Sequence, residues 1–374
     1  MFKELRISTC VCGLFICTAS MQVATAFYET SNGAFFIDAV GRVTQDSNIF
    51  ANSSEESDLV YSFSPSIRYS QAKGLISLQA VAGVNATYYS DNNDEDAEDF
   101  FANFTLNGPN RVGAKTKYKY SGGFNQSTTA DEAVGQVIET TTISTSGSVD
   151  YDYSEKYGVR FSGAISDVSY NPTNLIDSRN YRFGVSSLYY YSSKLTFTGG
   201  YNYSTIERDN GIDSLNSHAA VLGAEGELAS KLKGTIGVGI SFIDSPASDN
   251  LSPVYNIGLD WSVRDKTKIN FTGSRAISSA ASGSDSISTT LRTTLTQDFT
   301  EQFSGSIFFT IGKLELDGVS SRVDDYYRIG SSGKYTISDF GAINLSLSYE
   351  DRESERVLSQ YERIIATLGF SFTY

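Results

Sequence analysis

Cysteine, histidine, methionine and proline are all scarce in this sequence. Its 374 residues include three cysteines, one histidine, two methionines and five prolines. The cysteines are Cys10, Cys12 and Cys17, so the chain beyond them can form neither a disulfide nor a cysteine metal site. One histidine without a later cysteine also excludes the usual zinc ligand sets. A basic excess is absent too, since the formal net charge is −14, which argues against a nucleic-acid partner.

Long apolar runs are missing after the amino terminus, where a short one occurs. Lys3 and Arg6 precede a mostly apolar stretch at 7–19, and Ala24-Thr25-Ala26 has the small-x-small form of a cleavage site. We therefore predict a cleaved Sec-type signal peptide at 1–26 and a mature domain at 27–374. A short membrane anchor is the alternative, but the run is too short to cross a bilayer. No later run approaches 18 apolar residues, which excludes a transmembrane helix.

Aromatic residues and glycine are abundant, with 24 Tyr, 23 Phe and 32 Gly. Tyr and Phe favour pleated surfaces, and apolar residues alternate with polar ones along most of the chain, which is the period of a half-buried strand. Eighteen strands are predicted, and sixteen remain an alternative. The predicted segments are 34–44, 58–70, 75–89, 99–107, 112–125, 138–153, 157–170, 180–191, 194–206, 217–229, 231–243, 254–263, 267–277, 286–297, 302–315, 326–337, 341–350 and 361–374.

Short turns and long loops alternate between these segments. This rhythm is typical of an up-and-down antiparallel barrel in an outer membrane, with short periplasmic turns and long extracellular loops. A non-helical chain can span hydrocarbon only as a closed barrel, because every backbone polar group must be paired. A soluble β-protein with a second layer over the apolar faces is the alternative. The predicted long loops are 45–57, 90–98, 126–137, 171–179, 207–216, 244–253, 278–285, 316–325 and 351–360.

Acidic residues are concentrated in these loops and at their edges, with 25 acids, including Asp58 and Asp99 at the edges, against five bases. The densest run lies in the second loop. It can be read as a solvated loop, or as a site for Ca²⁺ or Mg²⁺, which clustered carboxylates suit. No EF-hand spacing is present, so no metal site is assigned firmly. The run comprises Asp91, Asp94, Glu95, Asp96, Glu98 and Asp99.

The polar strand faces have the opposite balance, with twelve bases and seven acids. Lys115, Lys117 and Lys119 are predicted to lie in register along one wall of the lumen. Charges fixed along a pore bias which ions pass, so these bases indicate passage of an anionic solute. Alternatively, they pair with the lumen acids and fill the barrel. The other candidate lumen bases are Arg68, Arg160, Arg182, Arg292 and Arg328.

Catalytic and cofactor motifs are not convincing. His218 lies near Ser214 and Ser217, but serine is abundant here, so a surface or strand-end histidine is favoured over a membrane-embedded hydrolase. The glycine-rich stretch 234–239 has no helix after it that would bind a phosphate. The sequence therefore predicts neither an enzyme nor a bound cofactor.

Two passages resemble a known family. Asp46-Ser47-Asn48-Ile49-Phe50 and the later Ser64-Pro65-Ser66-Ile67 are similar to the opening hairpin of the putative beta-barrel porin type 2 family. This chain has Ser66 where the family commonly has glycine. The aromatic end also resembles the insertion signal that the barrel-assembly machinery reads, through Leu368, Phe370, Phe372 and Tyr374.

The resemblance implies a Gram-negative outer-membrane barrel, often encoded with exopolysaccharide synthesis and export systems. We therefore expect a channel, either for exopolysaccharide export or for other anionic or sugar solutes. The alternative is a structural or adhesive surface protein whose acidic loops bind cations and whose pore is closed. Expected partners are outer-membrane lipid and lipopolysaccharide, the assembly machinery, and a periplasmic polysaccharide export protein.

Overall fold

A computed structural model of the protein describes residues 26–109, 113–172, 175–211, 214–245, 250–318 and 321–374. Within them the chain forms one antiparallel sheet of long strands, a two-residue strand and three short 3-10 turns. No helix in these ranges is long and apolar enough to cross a membrane. The predicted signal peptide falls almost wholly outside the described residues, and it stays a prediction.

Strands β2 to β19 each pair with the next one along the chain, in an up-and-down order. The short strand β1 (Tyr28–Glu29) pairs only with the start of β2. The long strands are β2 (Ala34–Asp46), β3 (Asp58–Gln71), β4 (Ser77–Tyr89), β5 (Ala97–Gly108), β6 (Thr116–Asp131), β7 (Gln136–Asp152), β8 (Tyr157–Asn171), β9 (Ser178–Tyr190), β10 (Leu195–Arg208), β11 (Leu215–Ala229), β12 (Leu232–Asp244), β13 (Asn250–Arg264), β14 (Thr267–Ser279), β15 (Asp285–Asp298), β16 (Phe303–Asp317), β17 (Arg322–Ser338), β18 (Gly341–Ser354) and β19 (Tyr361–Thr373).

The sheet closes on itself through its first and last long strands. β19 pairs with β2 from Thr373↔Asp38 to Ile365↔Asp46. The backbone N–H of Ile37 donates to the carbonyl of Tyr374 at 2.7 Å, and the N–H of Tyr374 donates back to Ile37 at 2.9 Å. The predicted fold, a closed barrel of eighteen antiparallel strands, is therefore confirmed.

Side-chain alternation assigns the two faces of the wall. In β19 the even-numbered residues, including Phe370 and Phe372, point outward and are exposed, whereas Thr367 and Gly369 point inward. Ile307 and Leu345 on other strands are 57% and 61% exposed although apolar. Such a continuous outward apolar surface suits lipid, because hydrocarbon needs no second layer of protein over it. Leu368, Phe370, Phe372 and Tyr374 share this outer face, and recognition by the assembly machinery stays a prediction.

Several predicted loops are shorter than expected, because the strands continue past the apolar band. The predicted loop 126–137 is a four-residue turn at 132–135 between β6 and β7, and 316–325 and 351–360 shrink in the same way. In these three segments most residues on both strand faces are polar, so apolar alternation stops while backbone pairing continues. The loop assignment was wrong for residues that lie in strands, namely Asp46, Glu98, Asp131, Arg179, Glu207, Arg208, Asp244, Asp285, Asp317, Arg322, Asp324, Asp325, Asp351, Arg352 and Glu353.

Candidate functional site: the lumen and its outer mouth

Most acids of the lumen wall are held in ion pairs. Of the seven acids predicted on the inward faces, six have a cationic partner. Arg160 binds Asp150 at 2.7 Å and Glu225 at 3.0 Å, although Glu225 lies three strands away on the curved inner wall. The seventh acid, Asp260, accepts a hydrogen bond from Asn270 at 2.9 Å. The remaining pairs are Asp38 with Arg68, Asp152 with Lys117, Glu227 with Lys194 and Lys233, and Glu350 with Arg328.

Many bases of the same faces have no such partner. Within the described residues, seven of the twelve predicted lumen bases form no ion pair. One of them, Lys115, lies one residue before β6, where its backbone carbonyl still accepts the N–H of Asp152 on β7 at 2.7 Å. The register of the three lysines along one wall stays a prediction. We call the other six the unpaired lumen cations: Arg42, Lys119, Arg182, Lys268, Arg292 and Lys334.

The predicted lumen bases therefore fall into two groups. Arg68, Lys117, Arg160 and Arg328 are neutralised by carboxylates. Lys119, Arg182 and Arg292 are not. The guanidinium of Arg292 instead lies 3.9 Å from the ring centroid of Phe308. The alternative that every lumen base pairs with a lumen acid thus applies to the first group alone.

The β6–β7 hairpin crosses the outer mouth, and we call it the crossing hairpin. Its turn residue Glu132 binds the guanidinium of Arg352 on β18. The backbone carbonyls of Glu132 and Ala133 accept hydrogen bonds from Arg322 on β17 at 2.7 and 3.3 Å. Going around the closed sheet, β6 is seven strand positions from β17, and nine is the maximum in a barrel of eighteen. The hairpin therefore spans most of the mouth.

The arginines that receive this turn are deeply buried. Arg352 and Arg322 are 1% and 3% exposed, and they share the carboxylate of Asp324 at 3.4 and 3.1 Å. The guanidinium of Arg352 also lies 4.9 Å from the ring centroid of Tyr326. A buried guanidinium must keep its partners, because an unpaired charge in a dry environment is strongly destabilising.

The β14–β15 hairpin bends inward at the same rim, and we call it the bent hairpin. Pairing between β13 and β14 stops at Tyr255↔Arg275, so the ends of these strands separate. Ile287, on the outward parity of β15, packs in one buried cluster with residues of inward parity on the neighbouring wall. This contact requires the hairpin to lie inside the mouth. The cluster comprises Ile206, Leu215, Ile243 and Ile287, with Ile277 against it.

A buried ion pair fixes the end of the bent hairpin. Asp285 binds Arg208 of β10, and both side chains are less than a tenth exposed. The backbone N–H of Ile176 also donates to the carbonyl of Ala281 at 2.9 Å. The sequence predicted neither of the two ion pairs that fix the hairpins at the mouth, Arg208 with Asp285 and Glu132 with Arg352. The available signal was the isolation of Arg208, Arg322 and Arg352 among many loop acids.

The acidic run does not converge on one point. Asp99 faces inward and accepts hydrogen bonds from the N–H and Oγ1 of Thr128 at 2.9 and 2.8 Å, whereas Asp96 accepts from the N–H of Tyr89. Burial and the charge of Asp94 raise the pKa of Glu95 above its ordinary value. Among the described residues, no three acidic, histidine or cysteine side chains are grouped as metal ligands. Cation binding by Asp91, Asp94, Glu95, Asp96, Glu98 and Asp99 stays a prediction.

The residues that carried the family resemblance shape the first outer loop and the barrel seam. Asp46 binds Arg363 of β19 at 2.6 Å and accepts the N–H of Asn48 at 3.0 Å. The hydroxyl of Ser47 accepts the N–H of Ile364 at 2.7 Å, so both residues tie β2 to the last strand. Pro65 pairs with Ala39 in register. His218 lies on the outward face of β11, where its Nδ1 is 2.7 Å from the hydroxyl of Tyr201.

A sequence profile of the family described as Putative beta-barrel porin 2 matches residues 33–374. The chain belongs to this family. Among curated proteins, a search found no match. Among solved structures, OpdQ of Pseudomonas aeruginosa has 10% identity and a TM-score of 0.50, over 92% of this chain and 99% of that one.

Two further solved structures are similar to this chain. The outer membrane protein OpdK of Pseudomonas aeruginosa has 10% identity and a TM-score of 0.49, over 91% of this chain and 99% of that one. OccAB3 of Acinetobacter baumannii has 7% identity and a TM-score of 0.47, over 91% and 99%. Likeness at such identity concerns the fold alone. With the family match, the protein is a porin-like outer-membrane β-barrel channel, and its family points to a channel rather than an enzyme.

Proposed function

We propose that the barrel is a diffusion channel that favours small anionic solutes. The observation that carries this proposal is the charge imbalance of the lumen wall. Six of its seven predicted acids are neutralised by a cation, whereas six of its bases, the unpaired lumen cations, have no carboxylate partner. The unpaired cations lie on β2, β6, β9, β14, β15 and β17, and so around the whole wall. Low-dielectric walls focus the field of such charges and enrich counter-ions in the pore. The acidic rim does not cancel this effect, because exposed charges beyond about 8 Å are largely screened at physiological salt.

Reversal potentials across planar bilayers test the proposal. With a gradient of potassium chloride, the purified protein is expected to pass chloride in preference to potassium. Replacing Arg42, Lys119, Arg182 and Arg292 with glutamine is expected to reduce or invert this preference. Each single replacement is compared with Lys156→Gln, which removes one positive charge from a periplasmic turn and is the matched control. A cation preference in the unmodified channel would contradict the proposal.

Exopolysaccharide export is a second candidate, supported by the family to which the chain belongs and by a hydroxyl-rich wall. A polymer chain needs an unobstructed mouth, so the crossing hairpin would have to move during export. Deleting the gene and measuring secreted polysaccharide tests the candidate, and normal secretion would overturn it. Complementation with Glu132→Cys and Arg352→Cys, bridged by a bifunctional thiol reagent, adds a sharper test. The bridged pair is expected to stop the polymer but not small ions.

The structural or adhesive alternative is favoured by the same crossed mouth. It predicts no measurable conductance for the unmodified protein and none after Glu132→Gln. Any stable anion-selective conductance would exclude a permanently closed barrel. A periplasmic polysaccharide export protein and lipopolysaccharide remain proposed partners, and co-purification with the barrel from the outer membrane is the direct check.

A further inference from the structure

A recess lies between one half of the lumen wall and the bent hairpin. Its volume is about 660 Å³. Wall strands β6 to β13 form one side, and residues 274–277 of β14, where the hairpin turns inward, form the other. We call this cavity the hairpin recess. The inward bend makes it a bounded pocket in a wall that would otherwise be open to the lumen.

The hairpin recess contains two of the unpaired lumen cations. Lys119 and Arg182 both line it, and both are exposed to it. The neighbouring Arg160 is neutralised by Asp150 and Glu225, and Arg275 is bound to Glu315 at 2.9 Å. The recess thus keeps one ammonium and one guanidinium without a carboxylate, as a bound anion would require.

About half of the other lining residues carry a hydroxyl or an amide, and the rest are glycines and apolar side chains. In the described part of the chain, four of the hydroxyl and amide side chains form no hydrogen bond with another protein group. They lie on β7, β10 and β13, and two of them are the register partners of Lys119 and Arg182. They are Ser148, Asn202, Ser204 and Asn256.

Gly184 keeps part of this lining open. A Cβ atom at this inward position would lie 2.5 Å from both Asn202 Oδ1 and Ser162 Oγ. Any side chain here would therefore push two polar groups out of their positions. Glycine permits the close approach of the backbone beneath them.

We propose that the hairpin recess binds a small polyhydroxylated carboxylate, that is, a sugar acid. The guanidinium of Arg182 receives the carboxylate, Lys119 adds a second positive charge, and the serines and asparagines bind the hydroxyls. This inference rests on the proposed anion channel, and it names the solute class and the place where the solute pauses. Hydroxyls alone would bind neutral sugars, and cations alone any anion, whereas the combination selects a ligand that carries both groups.

Calorimetric titration of the whole protein in detergent micelles tests the inference without requiring conduction. Gluconate is the probe. Hexanoate has the same chain length and charge but no hydroxyls, and sorbitol has the hydroxyls but no charge. Gluconate is expected to bind at least about tenfold more tightly than either, as expected when one hydrogen bond to a charged group is lost.

Arg182→Gln and Gly184→Ala are both expected to weaken gluconate binding. The loss for Arg182→Gln, which removes a charge, should be about tenfold. Arg292→Gln removes an unpaired lumen cation outside the recess and is expected to leave gluconate affinity unchanged. Equal affinities for gluconate and hexanoate, or an equal loss in Arg292→Gln and Arg182→Gln, would overturn the inference. Chloride preference without gluconate binding would overturn the inference about the hairpin recess and leave the proposed anion channel intact. Gluconate binding without chloride preference would overturn the proposed anion channel.

Discussion

Glu132 and Arg352 meet across the outer mouth, although they belong to strands that lie on different sides of the barrel. The carboxylate is at the tip of the crossing hairpin, and the guanidinium is buried on the inner face of β18. Arg352 also contacts Asp324 at 3.4 Å and Glu350 at 3.7 Å, so the turn completes a set of acids around a dry cation. The side chain of Glu132 is itself about one-third exposed, and it acts together with the hydrogen bonds from Arg322 to the backbone of the turn.

Glu132→Gln is expected to loosen the crossing hairpin and to raise the single-channel conductance. The change keeps the size of the side chain but removes its charge, so Arg352 loses its ion pair with the turn while its ion pairs with Asp324 and Glu350 remain. Single-channel recording should show larger and noisier openings. The control is Glu98→Gln at the same rim, which forms no hydrogen bond through its side chain in the described residues. Identical recordings for all three proteins would mean that the hairpin does not restrict flow.

Asp285→Asn is expected to destabilise the bent hairpin. Asp285 and Arg208 are both buried, and removing one partner of a buried pair typically costs about 3–5 kcal/mol. The loss should appear as a lower free energy of unfolding in denaturant and as faster proteolysis near residues 280–284. Asp317→Asn, an outward acid at the same rim, is the matched control. Equal stability of the two variants would show that the pair does not hold the hairpin.

The three clustered lysines are expected to differ in their effect on ion selectivity. Lys119→Glu places a carboxylate in the lumen beside an unneutralised part of the wall, so the preference should shift strongly toward cations. Lys115 lies just before β6, so Lys115→Glu should shift the ion preference less. Lys117→Glu leaves Asp152 without its cation, at a present distance of 3.1 Å, and should also lower anion preference. Reversal potentials order the three variants, and a larger shift for Lys115→Glu than for Lys119→Glu would contradict the lumen assignment.

The barrel itself could be predicted because lipid imposes a strict rule on every strand. Outward side chains must be apolar and inward ones must tolerate water, so alternation alone located all eighteen strands. At β19 the predicted segment 361–374 and the observed strand Tyr361–Thr373 differ by one residue. The inward or outward direction of Arg68, Arg160 and Arg182 followed from the same parity.

The mouth could not be predicted in this way, because lipid imposes the alternation of apolar and polar side chains only where the strands are in contact with hydrocarbon. Residues 126–137 lost their apolar alternation and were read as a loop, yet most of them extend the β6–β7 ladder. Ile277 and Ile287 keep outward parity, but the bend of their hairpin turns that face toward the neighbouring wall. The pairing of Glu132 with Arg352 joins residues 220 positions apart, and no local pattern indicates such a contact.

Adjacent residues on β18 provide the last prediction, since they point to opposite sides of the wall. Leu347 is 53% exposed on the outer face, whereas Ser346 shares the inner face with Asn344 and Ser348. Arginine on the lipid face near the bilayer midplane costs about 2–4 kcal/mol, while a lumen position is solvated. Leu347→Arg should therefore lower the free energy of unfolding in lipid vesicles by roughly that amount.

Ser346→Arg is the matched control, because it introduces the same side chain one residue away. We expect little loss of stability from it, together with a stronger preference for anions, since the new guanidinium enters the lumen. Together the two variants separate the two faces by two different measurements. Equal destabilisation by both, or a change in selectivity from Leu347→Arg alone, would mean that the assignment of lipid and water faces is reversed. The distinction matters because every lumen charge in the proposed channel was assigned by this same alternation.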